Sequence, residues 1–296
     1  MQVGVVFPQT EIGNDPSLIR DFARSAEALG FSHVLAFDHV LGAQHANRTP
    51  ELRKGAYDER SAFHEVFVLF GYLAAATTRL GLATGVLVLP QRQTALVAKQ
   101  AAEIQILSGG RLRLGVGTGW NHVEFEALGV PWERRGARQA DQVKLLRRLW
   151  TEELLDVQTP WHRIDRAGLN PLPPTTIPIW FGGFGNPAFE RAARLGDGFI
   201  LAGGGRDAFA ALEAVKRELT AVGRSPGEFG IEAIVDYGPP DLPDATAKWR
   251  NLLSRWDSLG VSHVSLHTMR MGLNTPQEHI DALRRYAEGI GLTGPV

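Results

Sequence analysis

Residues 111–129 read RLRLGVGTGWNHVEFEALG. Leu112, Leu114 and Val116 alternate as they would in a short apolar strand. Gly115, Gly117 and Gly119 fall at every second position and strip one face of side chains where that strand should end. Glycine weakens a strand, so several together mark the close approach of a ligand or another backbone. Trp120, Asn121 and Glu124 follow at once. The stretch predicts a strand whose C-terminal end lies against something flat.

Upstream of this strand, apolar runs alternate with amphipathic stretches. VGVVFP (3–8), HVLAFDH (33–39) and LGLATGVLVLP (80–90) read as buried strands, the last broken at Gly85. Helices are expected at 16–29, 63–77 and 94–107, the first with Pro16 in its opening turn and Gly30 at its end. Residues 40–62 carry no periodicity, and a loop of that length covers an active site or is disordered. Downstream, a helix is expected at 133–150. Residues 151–176, rich in proline from Pro160 to Pro174, form an irregular excursion. Strands at 177–183, 198–201, 229–237 and 263–268 then alternate with helices at 187–195, 209–222, 245–259 and 276–286. Eight strand–helix units without a composition break predict a parallel sheet closed into a (β/α)8 TIM barrel. The irregular insertion lies between strands four and five, and residues 1–296 form one domain.

Composition narrows the function. The 296 residues are 44% hydrophobic, and 31 basic residues offset 32 acidic ones. No global field favours nucleic acid or an anionic membrane surface. Cysteine is absent, which excludes disulfides, thiolate catalysis and cysteine-ligated metals. The apolar N-terminal run is too short for a signal peptide and no stretch is long enough to span a membrane, so a cytoplasmic protein is expected.

In such barrels the active site sits at the C-terminal strand ends. Strand two ends in Asp38-His39, strand three passes Thr84-Gly85-Val86, and strand four ends in Gly117-Thr118-Gly119-Trp120-Asn121. Strand five runs into Gly182-Gly183-Phe184-Gly185 before a helix that opens at Pro187, and strand eight ends with His267. Nine scattered histidines, without HExxH or a histidine pair on the first strand, argue against a metal site. No GxSxG elbow supports a serine nucleophile. GVGTGW is similar to a dinucleotide fingerprint, but its third glycine comes one residue early. FGGFGN leading into a helix N-terminus offers free N–H groups and suits a phosphate, or is simply a tight turn. His39 is the candidate acid or base, against the alternative of a satisfied core histidine. Arg48, Arg53 and Lys54 in the long loop are candidates to screen an anionic substrate or cofactor tail.

Taken together, AFDHV (36–40), TGVLVLP (84–90), GGRLRLGVGTGWNHVEFEALGVPWERRGAR (109–138), IPIWFGG (177–183) and RAARLGDGFIL (191–201) resemble the luciferase-like monooxygenase superfamily, in particular its coenzyme F420-dependent branch. The resemblance implies a deazaflavin or flavin held at the strand C-termini. It also implies a bulge in strand three, often with a non-proline cis peptide, which matches Gly85–Val86. Asp38 and His39 match the Asp-His pair of glucose-6-phosphate-oxidising relatives, with Asp38 beside the cofactor and His39 facing substrate as acid or base. Gly182, Gly183, Phe184 and Gly185 match the family's phosphate-holding glycines. Those relatives carry a glutamate directly after GTG, where this chain has Trp120, a departure that argues against sugar-phosphate oxidation.

The expected function is hydride transfer between coenzyme F420 and a small organic substrate. Catalysis is assigned to His39, and cofactor binding to Asp38, Thr84, Gly85, Val86, Gly117, Thr118, Gly119, Asn121 and Gly182 to Gly185. The alternatives are an FMN-dependent two-component monooxygenase on the same barrel and a non-catalytic flavin-binding protein. No metal, nucleic acid or membrane partner is expected, and the resemblance implies a homodimer.

Overall fold

Alternation of short β-rich runs with helices produces a closed barrel. The computed structural model describes residues 1–52, 57–201, 205–239 and 241–294. Its barrel strands are β1 (Gln2–Val6), β2 (His33–Ala36), β3 (Gly81–Thr84) continued by β4 (Leu87–Val88), β5 (Leu112–Gly117), β8 (Ile179–Gly182), β9 (Gly198–Leu201), β10 (Gly230–Asp236) and β11 (His263–His267). All pair in parallel in the order β3-β2-β1-β11-β10-β9-β8-β5-β4, and a β3–β5 pairing closes the ring. Strands such as β2, β8 and β9 are buried on both faces, as expected where helices cover the outside of a parallel sheet.

The helices follow the strands: α1 (Pro16–Ala28), α2 (Val66–Ala76), α3 (Thr94–Leu107), α4 (His122–Ala127), α5 (Arg135–Leu149), α6 (Asn186–Leu195), α7 (Gly205–Ala221), α8 (Ala245–Ser258) and α9 (Pro276–Ile290). Local chemistry sets their ends. Asp15 caps α1 by accepting from the Ser17 N–H at 2.8 Å, with Pro16 in the first turn. Thr275 and Glu278 form a reciprocal capping box at α9, and Gly291 ends it in the left-handed conformation. Ile19, Phe22, Ala23 and Ala26 give α1 a helical stripe that packs into the core.

The third barrel strand is bulged. Ala83 faces Arg113 and Leu87 faces Val116, so four steps on β3–β4 match three on β5. One residue is extra, the signature of a β-bulge. The Gly85–Val86 peptide inside it is cis. The break expected at Gly85 is therefore a bulge that turns Val86 inward.

Two readings are corrected. The insertion between strands four and five is not wholly irregular: β6 (Leu155–Gln158) and β7 (Arg163–Ala167) form an antiparallel hairpin. Leu155 and Val157 face inward while Asp156 and Gln158 face out, an alternation too short to register beside so many prolines. Asp141 on α5 anchors the hairpin, 2.7 Å from His162 Nδ1 and 2.8 Å from the Thr159 hydroxyl. The helix read at 133–150 is preceded by a separate short helix, α4, which Asn121 caps through the Val123 N–H at 3.1 Å.

The barrel interior is layered. At its N-terminal floor the fully buried Glu232 carboxylate meets His33 Nε2 at 2.7 Å, the Ser265 hydroxyl at 2.6 Å and Arg113 Nη2 at 2.5 Å. Arg113 also lies over the Trp180 ring at 4.2 Å. Burial alone would raise the Glu232 pKa; the charge of Arg113 and the hydrogen bonds from His33 and Ser265 outweigh it and hold the pKa down, to about 2. Above this layer Val6, Leu35, Ala83 and Ile200 form an apolar plug. The candidate site opens above the plug. Among the described residues no helix is long and apolar enough to cross a membrane.

Candidate active site

A cavity of about 650 Å³ lies at the C-terminal ends of the barrel strands, the usual position of a site in this architecture. Its best-defined wall is built around Val86. A Cβ at Gly117 would collide with Val86 Cγ2, and one at Gly182 would come within 2.7 Å of Val86 Cγ1. Bare glycines on both flanks let the isopropyl group of Val86 sit between β5 and β8. The glycine run of β5 serves the same close fit elsewhere. A Cβ at Gly115 would strike the Thr84 carbonyl, and one at Gly119 would meet Val88 Cγ1 at 2.6 Å. The alternating glycines therefore bring the bulged strand against β5, and Val86 is one of the apolar side chains that this strand offers to the cavity.

Asp38 braces that wall. Its carboxylate is almost fully buried. It accepts from the Val88 N–H at 2.9 Å and from Arg92 at 3.2 Å (Nε) and 2.5 Å (Nη2). Arg92 also reaches Glu65 at 3.0 Å. Burial works against the Arg92 charge, but the adjacent Asp38 and Glu65 carboxylates prevail and raise its pKa. Asp38 thus touches the cavity while spending its hydrogen bonds on the strand that carries Val86.

His39 stands next to this wall in a network centred on Glu124. Glu124 is 1% exposed. Its Oε1 accepts from the Val40 and Leu41 N–H groups at 2.6 and 3.1 Å. Its Oε2 accepts from His39 Nδ1 and from the Tyr57 hydroxyl, both at 3.1 Å. Burial pushes the Glu124 pKa up, but the His39 and backbone hydrogen bonds outweigh it and leave it lowered. Tyr57 is shifted upward, first by burial and then by the Glu124 charge. Its ring lies over His39 with centroids 3.7 Å apart, while Phe63 and Trp120 stand edge-on at 5.0 and 6.1 Å. A carboxylate on Nδ1 assigns the ring proton to that nitrogen and leaves Nε2 as the acceptor of a ring that lines the cavity. That is the geometry of an oriented general base.

One end of the cavity lies at Gly182, Gly183 and Phe184, just before α6. Gly185 occupies the N-cap position of that ten-residue helix with no side-chain cap, so its first N–H groups are unclaimed by a capping side chain. Arg135 also lines the cavity and lies over the Trp132 ring at 3.7 Å. A flat ring resting on Val86 with an anionic tail toward Gly183 and Arg135 fits these residues. The opposite wall carries Asp236, His267, Met269 and Arg270.

Of the residues singled out in the sequence, Asp38, His39, Gly85, Val86, Gly117, Thr118, Gly119, Gly182, Gly183 and Phe184 converge on the cavity. Three stand behind its surface. Thr84 donates to the Gly115 carbonyl at 2.6 Å, Asn121 donates to the Tyr57 oxygen at 3.1 Å, and Gly185 caps α6. Arg48 is half-buried and donates to the Gln44 carbonyl; Arg53 and Lys54 lie outside the described residues. Sequence reasoning missed Glu124 as the partner of His39, although Asn121 and Glu124 are spaced as an N-cap and its third helical residue. Tyr57, Phe63 and Arg92 gave no comparable signal.

The chain is similar to several known proteins. The chain is 35% identical over 253 residues to an uncharacterized protein of Mycobacterium tuberculosis, covering 80% of this chain and 87% of that one. It is 27% identical over 277 residues to the F420-dependent glucose-6-phosphate dehydrogenase of Kineococcus radiotolerans, covering 90% and 78%. It is 28% identical over 222 residues to the FMNH2-dependent dimethylsulfone monooxygenase of Pseudomonas fluorescens, covering 73% and 56%. The fold is similar to that of an F420-dependent secondary alcohol dehydrogenase solved with an F420–acetone adduct, with a TM-score of 0.74 at 18% identity over 98% of both chains. Residues 1–237 match the luciferase-like monooxygenase family, and the chain belongs to it.

Proposed function

We propose that the protein is an oxidoreductase that transfers a hydride between coenzyme F420 and a small organic substrate, with His39 as the acid–base group. The observation that carries this reading is a histidine whose Nδ1 is bound to a buried carboxylate beside the Val86 wall. The F420-dependent relative and the fit of a flat, anionic-tailed ligand support it. Val86, Gly117 and Gly182 would back the ring. Thr118, Gly119 and Gly183 would line its edges, and Arg135 and the α6 N-terminus would hold its phosphate. When bound, the cofactor supplies the carbon that accepts or returns the hydride. Asp38 keeps the bulge in register through Val88. For an alcohol substrate, His39 Nε2 accepts the hydroxyl proton as the carbinol hydrogen leaves as hydride, and Glu124 stabilises the resulting imidazolium. Tyr57, Phe63 and Trp120 exclude water around that proton.

The FMN-dependent monooxygenase relative supports a second reading on the same barrel. A passive cofactor carrier is disfavoured, since storage needs no oriented base. In this proposal the protein works in the cytoplasm as a homodimer. The support for the dimer is α2, which has no charged residue and leaves Val68 72% exposed and Tyr72 41% exposed. The test of the chemistry is reduction of F420 by a panel of secondary alcohols. His39→Ala is expected to slow it by about 10²–10⁴-fold while leaving F420 affinity within a small factor. Turnover unaffected by this substitution would remove His39 from the mechanism.

A further inference from the structure

The cavity contains a second histidine–carboxylate pair that the proposed chemistry leaves unused. His267 ends β11, and its Nδ1 lies 3.2 Å from Asp236 Oδ1 at the end of β10. Both line the same cavity as His39. A carboxylate on Nδ1 keeps the proton on that nitrogen, so Nε2 of the neutral ring is a hydrogen-bond acceptor. The cavity therefore holds two imidazoles that each offer an acceptor Nε2. Apolar groups line the space with them: Phe37, whose ring lies 6.3 Å from that of His267, and Ile234. The Thr10 hydroxyl on this wall is directed at the Met269 sulfur at 3.2 Å. Arg270 is exposed on the rim, its N–H bound to Glu11 at 2.9 Å, and its guanidinium adds donors at the same wall.

We infer that the substrate is a compact apolar molecule bearing two hydroxyl groups, one donating to His39 Nε2 and the other to His267 Nε2. The inference rests on the proposed role of His39 and adds the substrate class to it. A hydroxyl satisfies His267 Nε2 by donation and can accept from Arg270. A ketone oxygen there would face a lone pair, and an apolar end would bury Nε2 without a partner, which costs free energy. His267 is in this account a specificity residue, and Asp236 positions it.

The test uses [15N]histidine-labelled protein, with and without F420, titrated with trans-cyclohexane-1,4-diol and with cyclohexanol while the Nε2 resonances are followed. The diol is expected to shift the signals of both His39 and His267, and cyclohexanol that of His39 alone. The diol should bind about tenfold more tightly, the value of one satisfied hydrogen bond to a group otherwise buried bare. His267→Phe should erase that advantage and leave cyclohexanol affinity in place. Asp236→Asn, which removes the carboxylate holding the proton on Nδ1, should shift preference from the diol toward 4-hydroxycyclohexanone. Equal response to the two alcohols, no response included, or an advantage that survives both substitutions overturns the inference. F420 absorbance in the same samples reads the cofactor assignment separately. A diol preference without F420 binding would sustain the two-acceptor pocket and remove the cofactor.

Discussion

At the scale of single residues, Val86 and the glycines beside it carry the shape of the site. Gly117 and Gly182 leave room for one isopropyl group, and that group faces the cavity. Gly117→Ala is expected to force Val86 out of place, destabilise the protein by about 1–3 kcal/mol through overpacking, and weaken cofactor binding. Thermal unfolding and a cofactor titration check it; unchanged cofactor affinity would show that Val86 does not back the ring. Glu124 shows where the sequence was only half legible. Its spacing from Asn121 fits a helix start that the sequence reading did not include, and its contact with His39 spans 85 residues and depends on the barrel bringing two strand ends together. Tyr57 was less legible still, because an aromatic in an aperiodic loop carries no pattern. Trp120 lies at the cavity wall, 5.1 Å from the Tyr57 ring.

At the scale of elements, strands and helices with strong patterns were readable in place and order, and two of them to the residue. Thr94–Leu107 and Gly198–Leu201 begin and end where apolar periodicity, Gly109 and Leu201 place them. The β6–β7 hairpin was not, since two four- to five-residue strands leave little room for alternation. The expected bulge at Gly85 is present, but its brace through Asp38 and Arg92 is a tertiary fact with no sequence period. The polar floor makes its own prediction. Burial, followed by the Arg113 charge, depresses His263 to about 3, and burial also lowers His33. Below the ordinary histidine value of 6.5 the unfolded chain takes up protons that the native floor refuses. The contribution of His263 to stability is therefore complete above pH 6.5 and lost as pH falls toward 3. Glu232 adds a loss between 4.5 and about 2. His263→Gln should flatten the decline of the urea midpoint between pH 6.5 and 3; an unaltered slope would contradict the assignment.

At the scale of the molecule, eight strand–helix units in one closed ring bring Asp38, His39, Val86, Gly117 and Gly182, from four different strand ends, to one mouth. The same ring leaves Val68 and Tyr72 of α2 exposed on its outer surface. A dimer joined through α2 should fall apart in Val68→Asp, because a buried unpaired carboxylate at the interface costs several kcal/mol. Sedimentation of native and substituted protein reads the result, and a monomeric native protein would end that proposal. The central claim concerns what rests on Val86 beside His39. The most direct measurement is an equilibrium absorbance titration of the protein against F420 and against FMN. Saturable one-to-one binding of F420, tighter than that of FMN and weakened by Gly117→Ala, is the predicted result. Tight FMN binding with no response to F420 would contradict the account and favour the monooxygenase reading.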